Sequence, residues 1–210
     1  IGRAVAQLLP GLIGGQGWRP SHPAALGSPS GNLLTGSDFA TDSGGVASGW
    51  EIYNTAAQLT VTPFTESRVM AVDGDTCGKN QVLSILGVGV VASASTTFRK
   101  VGVQDLPSSG EYAQVRIPFS LKDVEGVRGI TLQVTGTAGG TTMTLYDKSF
   151  DNSAGADAIA EDLSGWLISS VFKVPEALTS LILSVQITVG AAQVSALEAR
   201  LWQPELRIVS

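Results

Sequence analysis

One histidine and one cysteine occur in 210 residues. A hydrolytic triad needs an imidazole base beside its nucleophile. The lone His22 stands in Arg19-Pro20-Ser21-His22-Pro23, a run of turn formers, and reads as an exposed linker residue. One His and one Cys cannot supply the usual nitrogen and sulfur ligands of a zinc site. Cys77 cannot close an internal disulfide, so cysteine usage leaves the redox compartment open. Charge is also scarce, at 15% of residues, against about 25% in an ordinary soluble domain. Thirteen Lys and Arg against eighteen Asp and Glu leave a net charge of −5. With no basic run to neutralise phosphates, nucleic acid is excluded as a partner class. Such low charge, with a mean hydropathy of +0.23, also excludes a disordered chain.

Long apolar runs are missing too. The longest uncharged stretch, Ala177 to Leu197, is long enough to span a bilayer but carries Ser180, Ser184, Gln186, Thr188 and Gln193. It is no transmembrane helix, so membrane insertion is not expected. Gly14-Gly15-Gln16-Gly17 lacks the following Lys-Ser/Thr of a phosphate loop. The residues present therefore predict no enzyme in this chain.

What is present divides the chain into three. From Ile1 to Leu12 the apolar residues recur at three- and four-residue steps, predicting a short N-terminal helix over 1–13, the end of an upstream domain. Residues 14–31 are rich in Gly, Pro and Ser and read as a linker. From Asn32 to Ser210 the period becomes two. Leu181, Leu183, Val185, Ile187 and Val189 alternate with Ser180, Ile182, Ser184, Gln186 and Thr188, and Ala113, Val115, Ile117, Phe119 and Leu121 alternate with Tyr112, Gln114, Arg116, Pro118 and Ser120. Further strands are predicted at 58–64, 68–72, 81–91, 130–135, 141–146, 166–174 and 194–202. Pro118 removes a ladder donor and is expected at an edge or a bulge. Within this region only Ala156 to Leu163 has helical character. The pattern predicts an all-β, antiparallel β-sandwich of jelly-roll type.

Acid pairs are confined to turn-like text, Asp73-Gly74-Asp75 and Asp147 with Asp151, where turn chemistry explains them or a hard cation such as calcium would suit them. The four Trp and three Tyr carry more information. Sugar rings stack on aromatic planes while polar neighbours bind their hydroxyls. Trp50, Tyr53 with Asn54, Tyr112 with Gln114, Tyr146 with Asp147, and Trp202 with Gln203 have that composition, although a sandwich also needs large residues in its core. The candidate carbohydrate-binding set is Trp50, Tyr53, Tyr146 and Asp147.

Asn32-Leu33-Leu34, then Phe39, then Gly49-Trp50 resembles the opening of the galactose-binding-like jelly rolls of carbohydrate-binding modules. Trp166, Phe172-Lys173-Val174-Pro175 and Ala196 to Leu201 resemble that family's ending. The resemblance covers Asn32 to Leu206. It implies glycan recognition and a structural calcium held by an acid after the Phe and another in the last strand. Here Ala40 follows Phe39, which leaves Asp38 and Glu198 as the candidate ligands. Ile1 to Leu9 resembles the closing helix of SGNH/GDSL esterases, which would place the catalytic Ser and His upstream of Ile1. His22-Pro23 imitates that family's His-Pro, but Arg19 occupies the place of its Asp.

These readings lead to a non-catalytic module that recognises cell-surface glycan. It would belong to a larger extracellular or virion protein, such as a phage fibre or spike. Two alternatives stand beside it: an oligomerising virion domain that binds copies of itself or other surface proteins, and an accessory domain of an SGNH-type esterase.

Overall fold

The computed structural model describes residues 33–34, 39, 41–55, 59–72, 75–87, 94–100, 106–123, 127–151, 163–189 and 196–209. The expected helix over 1–13, the linker 14–31, His22 and Asp38 lie outside them, as does most of Ala156 to Leu163.

Fourteen strands occur in the described residues. The first five are β1 (Asp42–Ser43), β2 (Val46–Ala47), β3 (Trp50–Asn54), β4 (Leu59–Val72) and β5 (Asp75–Gly87). Then come β6 (Ala94–Lys100), β7 (Tyr112–Lys122), β8 (Val127–Ala138) and β9 (Thr141–Asp151). The last are β10 (Leu163–Ile168), β11 (Phe172–Lys173), β12 (Leu178–Val189), β13 (Leu197–Trp202) and β14 (Glu205–Ile208). All pairings are antiparallel. One sheet has the order β10-β7-β13-β5-β4, with β11 and β14 also on β7, and a five-stranded sheet has the order β3-β6-β12-β8-β9.

Period-two alternation explains why the sheets face each other. Alternate side chains of a strand point to opposite faces, so an apolar residue at every second position builds one oily face. On β12 that face is Leu181, Leu183, Val185, Ile187 and Val189, and on β7 it is Ala113, Val115, Ile117, Phe119 and Leu121. Both rows are buried in one continuous core with Leu83 and Ile85 of β5, Phe98 of β6, Ile130, Leu132 and Val134 of β8, and Leu197, Ala199 and Leu201 of β13. The expected all-β antiparallel sandwich is therefore observed. Each such side chain stabilises the fold by roughly 1.5–3 kcal/mol through its removal from water.

Five strands were not expected, and one residue is placed differently. β1, β2, β3, β6 and β14 lie outside the predicted set, while β4 runs unbroken through the gap predicted at 65–67, its ladder with β5 shifting register between Ser67 and Met70. Pro118 lies in β7, a strand with neighbours on both sides rather than an edge. Trp166 of β10 is opposite it, but towards β13 and β14 it faces the break between Leu201↔Phe119 and Glu205↔Arg116, where no residue pairs with it. The missing donor thus sits beside an interruption of the ladder.

The β1–β2 hairpin is pinned by one buried amide. Gln81 of β5 accepts from the Ala47 N–H at 2.8 Å and places Nε2 2.9–3.1 Å from the carbonyls of Gly45, Phe64 and Val82. The tip must be glycine: Gly45 has φ +82°, and a Cβ there would stand 2.2 Å from the Pro63 carbonyl oxygen.

Leu183, fully buried at the centre of β12, sets the scale of the core. Leu183→Ala is expected to cost about 2–5 kcal/mol in urea unfolding. A loss below about half a kcal/mol would contradict the packing described.

Candidate functional site

The alternation that fills the core leaves polar residues on the other face of the five-stranded sheet. The ladder register aligns them into two rows. One row runs Tyr53, Thr97, Gln186, Thr131 and Ser149 across β3, β6, β12, β8 and β9. The adjacent row runs Glu51, Arg99, Ser184, Gln133 and Asp147. Four inter-strand steps give the platform a width of about 19 Å.

Within the rows the side chains bind one another. Arg99 donates through Nε at 3.0 Å and Nη2 at 2.8 Å to one oxygen of Glu51. Gln133 Nε2 donates to Asp147 Oδ2 at 3.0 Å, Thr131 and Ser149 share a hydrogen bond of 2.8 Å, and Gln186 Nε2 reaches Thr97 Oγ1 at 3.5 Å. At one end stands Tyr53, its side chain the most exposed large apolar surface among the described residues, at 60%. The platform therefore offers an aromatic plane at one edge and amides, hydroxyls and carboxylates across the rest. That combination suits a polyhydroxylated ligand.

Of the four candidate residues, Tyr53 and Asp147 belong to this face and Trp50 and Tyr146 to the opposite one. Trp50 is 5% exposed, stacked on Phe98 at 4.4 Å between ring centroids with Phe39 edge-on at 5.6 Å. Its indole N–H is buried with no acceptor among the described residues. Tyr146, opposite Val134, packs against the core, and its hydroxyl donates to the Ile168 carbonyl at 3.4 Å. Burial pushes the Tyr146 phenol up from its ordinary value and the nearby Asp147 charge adds to this, while a hydrogen bond with the Ser170 backbone opposes them. These two aromatics support the sheet from beneath. Glu51, Arg99, Ser184, Gln133, Thr97, Gln186, Thr131 and Ser149, which complete the two rows, are absent from the sequence-based set. Their signal was the polar half of each alternating strand.

The other aromatics do not join this face. Trp166 and Trp202 are buried together on the outer side of the larger sheet, where the Arg116 guanidinium lies 4.4 Å from the Trp166 ring centroid. Tyr112 is exposed at the start of β7, and Gln114 donates to the Ser169 carbonyl.

Of the two residues suggested for calcium, Asp38 lies outside the described residues. Glu198 is engaged by Arg200 in an ion pair, and Arg200 also binds Glu66 at 2.9 Å. Among the described residues no group of three or more His, Cys, Asp and Glu could hold a metal ion.

No family model matches the sequence, and no curated protein matches it. Solved structures do resemble the fold. A carbohydrate-binding module of the β-sandwich superfamily, studied for promiscuous specificity, aligns with a TM-score of 0.52 and 9% identity, covering 77% of this chain and 58% of that one. The chain thus spans just over half the length of that structure. The enzymatically active domain of bacteriophage CBA120 tailspike protein 4 aligns at a TM-score of 0.49 and 16% identity, over 80% of this chain and 21% of that one. The CBM22-1 xylan-binding domain of Xyn10C from Paenibacillus barcinonensis aligns at 0.46 and 15% identity, over 88% of this chain and 99% of that one. At these identities the likeness is one of fold.

The two faces separate by mutation. Trp50→Ala should lower stability by about 3–5 kcal/mol, whereas Tyr53→Ala should stay within about half a kcal/mol of wild type. Equal losses in thermal melts would place Tyr53 in the core and contradict the assignment.

Lys100, paired with Trp50 across β3 and β6, is buried with Nζ 6.0 Å from the Trp50 ring, and burial holds its ammonium below the ordinary value of 10.5. Between the folded value and 10.5 the unfolded chain binds more protons, so this group makes stability rise with pH across that window; below it the full cost of burying charge is present. Lys100→Met should therefore be more stable than wild type at pH 7, with the difference shrinking towards pH 10 in urea titrations. A difference constant with pH would overturn this.

Proposed function

We propose that this chain carries a non-catalytic carbohydrate-binding module whose glycan site is the outer face of the five-stranded sheet. The observation that carries the reading is the aligned pair of rows, with exposed Tyr53 at one edge and Asp147 with Gln133 at the other. Tyr53 stacks on the apolar face of a sugar ring, while Gln186, Gln133 and Asp147 exchange hydrogen bonds with hydroxyls. The β-sandwich fold shared with a solved carbohydrate-binding module supports the same assignment. We place the module in a larger extracellular or virion protein, of the fibre or spike type, with any catalytic centre elsewhere in that protein.

A glycan array followed by titration calorimetry tests this. Tyr53→Ala and Asp147→Ala should each weaken binding about tenfold or more, in line with an anchor residue of a small interface, while leaving the melting temperature near wild type. A protein that ignores every glycan on the array yet self-associates stably would overturn the reading in favour of an oligomerising virion domain.

A further inference from the structure

Resting on that reading, we propose that the Glu51–Arg99 pair makes the site selective for uncharged sugar chains and against chains bearing uronates. A guanidinium is the natural partner of a sugar carboxylate, because its planar fork matches two oxygens at once. Arg99 is the one such group among the described side chains of this face. One edge of its fork is already filled: Nε and Nη2 both donate to Oε2 of Glu51, directly opposite on β3. Its charge is balanced by the same contact. Both partners remain accessible, with the Arg99 side chain 41% exposed and that of Glu51 55%, so the pair meets ligand rather than supporting the core.

The second row ends on another carboxylate. Asp147 spends Oδ2 on Gln133 and carries its charge at the far edge of the platform. The described side chains of the face therefore hold two carboxylates against one guanidinium. A hydroxyl finds acceptors in the second oxygens of Glu51 and Asp147. A uronate there meets like charge and a guanidinium whose Nε/Nη2 edge is occupied and whose charge Glu51 already balances.

The test measures dissociation constants for matched probes that differ in charge: xylohexaose against its glucuronosylated form, and methyl-esterified against free hexagalacturonate. Wild type should bind the uncharged member of a pair more tightly. Glu51→Gln keeps the side-chain shape and frees the fork, so it should shift the acidic-to-neutral affinity ratio towards the acid by about three- to tenfold, the scale of one exposed charge contact. The shift should vanish in the double variant Glu51→Gln with Arg99→Gln, and should shrink in 0.5 M salt. A wild type that prefers the acidic probes, or a ratio unmoved by Glu51→Gln, overturns the proposal while leaving glycan binding intact. Failure of wild type to bind either these probes or any array glycan overturns the binding reading itself and this proposal with it.

Discussion

The register of the five-stranded ladder sets both what the molecule buries and what it shows. Val185 lies opposite Phe98 on one side and Leu132 on the other, which places these side chains together in the core. The same alignment fixes Gln186 between Thr97 and Thr131 on the reverse face. Because side chains alternate with period two, a slip of one residue would turn the apolar row outwards and bury the polar one. The hydrophobic effect acting on one face thereby orders the other. A surface without much driving force of its own inherits the precision of the core beneath it.

That inheritance bears on binding. A flat polar surface with loose side chains would lose rotamer entropy on meeting a ligand, about 0.5–1.5 kcal/mol for each long side chain it immobilises. Here Arg99, Gln133 and Gln186 are already held by neighbours across the strands. The stack of Trp50 on Phe98 fixes β3 against β6 from below, under the strand that carries Tyr53. The larger sheet contributes differently. Its outer side holds Arg200 between Glu66 and Glu198, and a Trp pair beside Arg116. That side is occupied by its own contacts, which leaves the smaller sheet as the chemically open one.

The sandwich was legible in the sequence because β7 and β12 alternate almost without exception. β6 was not, since Ala94, Thr96, Phe98 and Lys100 fill its core face and only Phe98 is a large apolar residue. β14 has only 4 residues, with Leu206 buried and Ile208 half-buried, too short an alternation to stand out. Half of the candidate site was legible as well. An aromatic beside a polar residue does mark Tyr53 and Asp147. Yet neighbours in a strand point to opposite faces, so Tyr146 and Asp147 cannot share a surface, nor can Trp50 and Glu51. Strand parity, rather than adjacency, sorts such residues, and it required knowing that both segments were strands. The partners Gln133 and Gln186 come from strands far apart in the chain, and only the ladder brings them together.

The sheet margins have a consequence for the molecule at high concentration. Unpaired strand edges are templates on which neighbouring molecules can zip together. Each of the four margins is blunted in its own way. β3 and β10 are short, β4 carries Pro63, and β9 is bent by a register shift between Val134 and Thr135. Neighbouring copies therefore meet no long, uninterrupted edge among the described strands on which to polymerise.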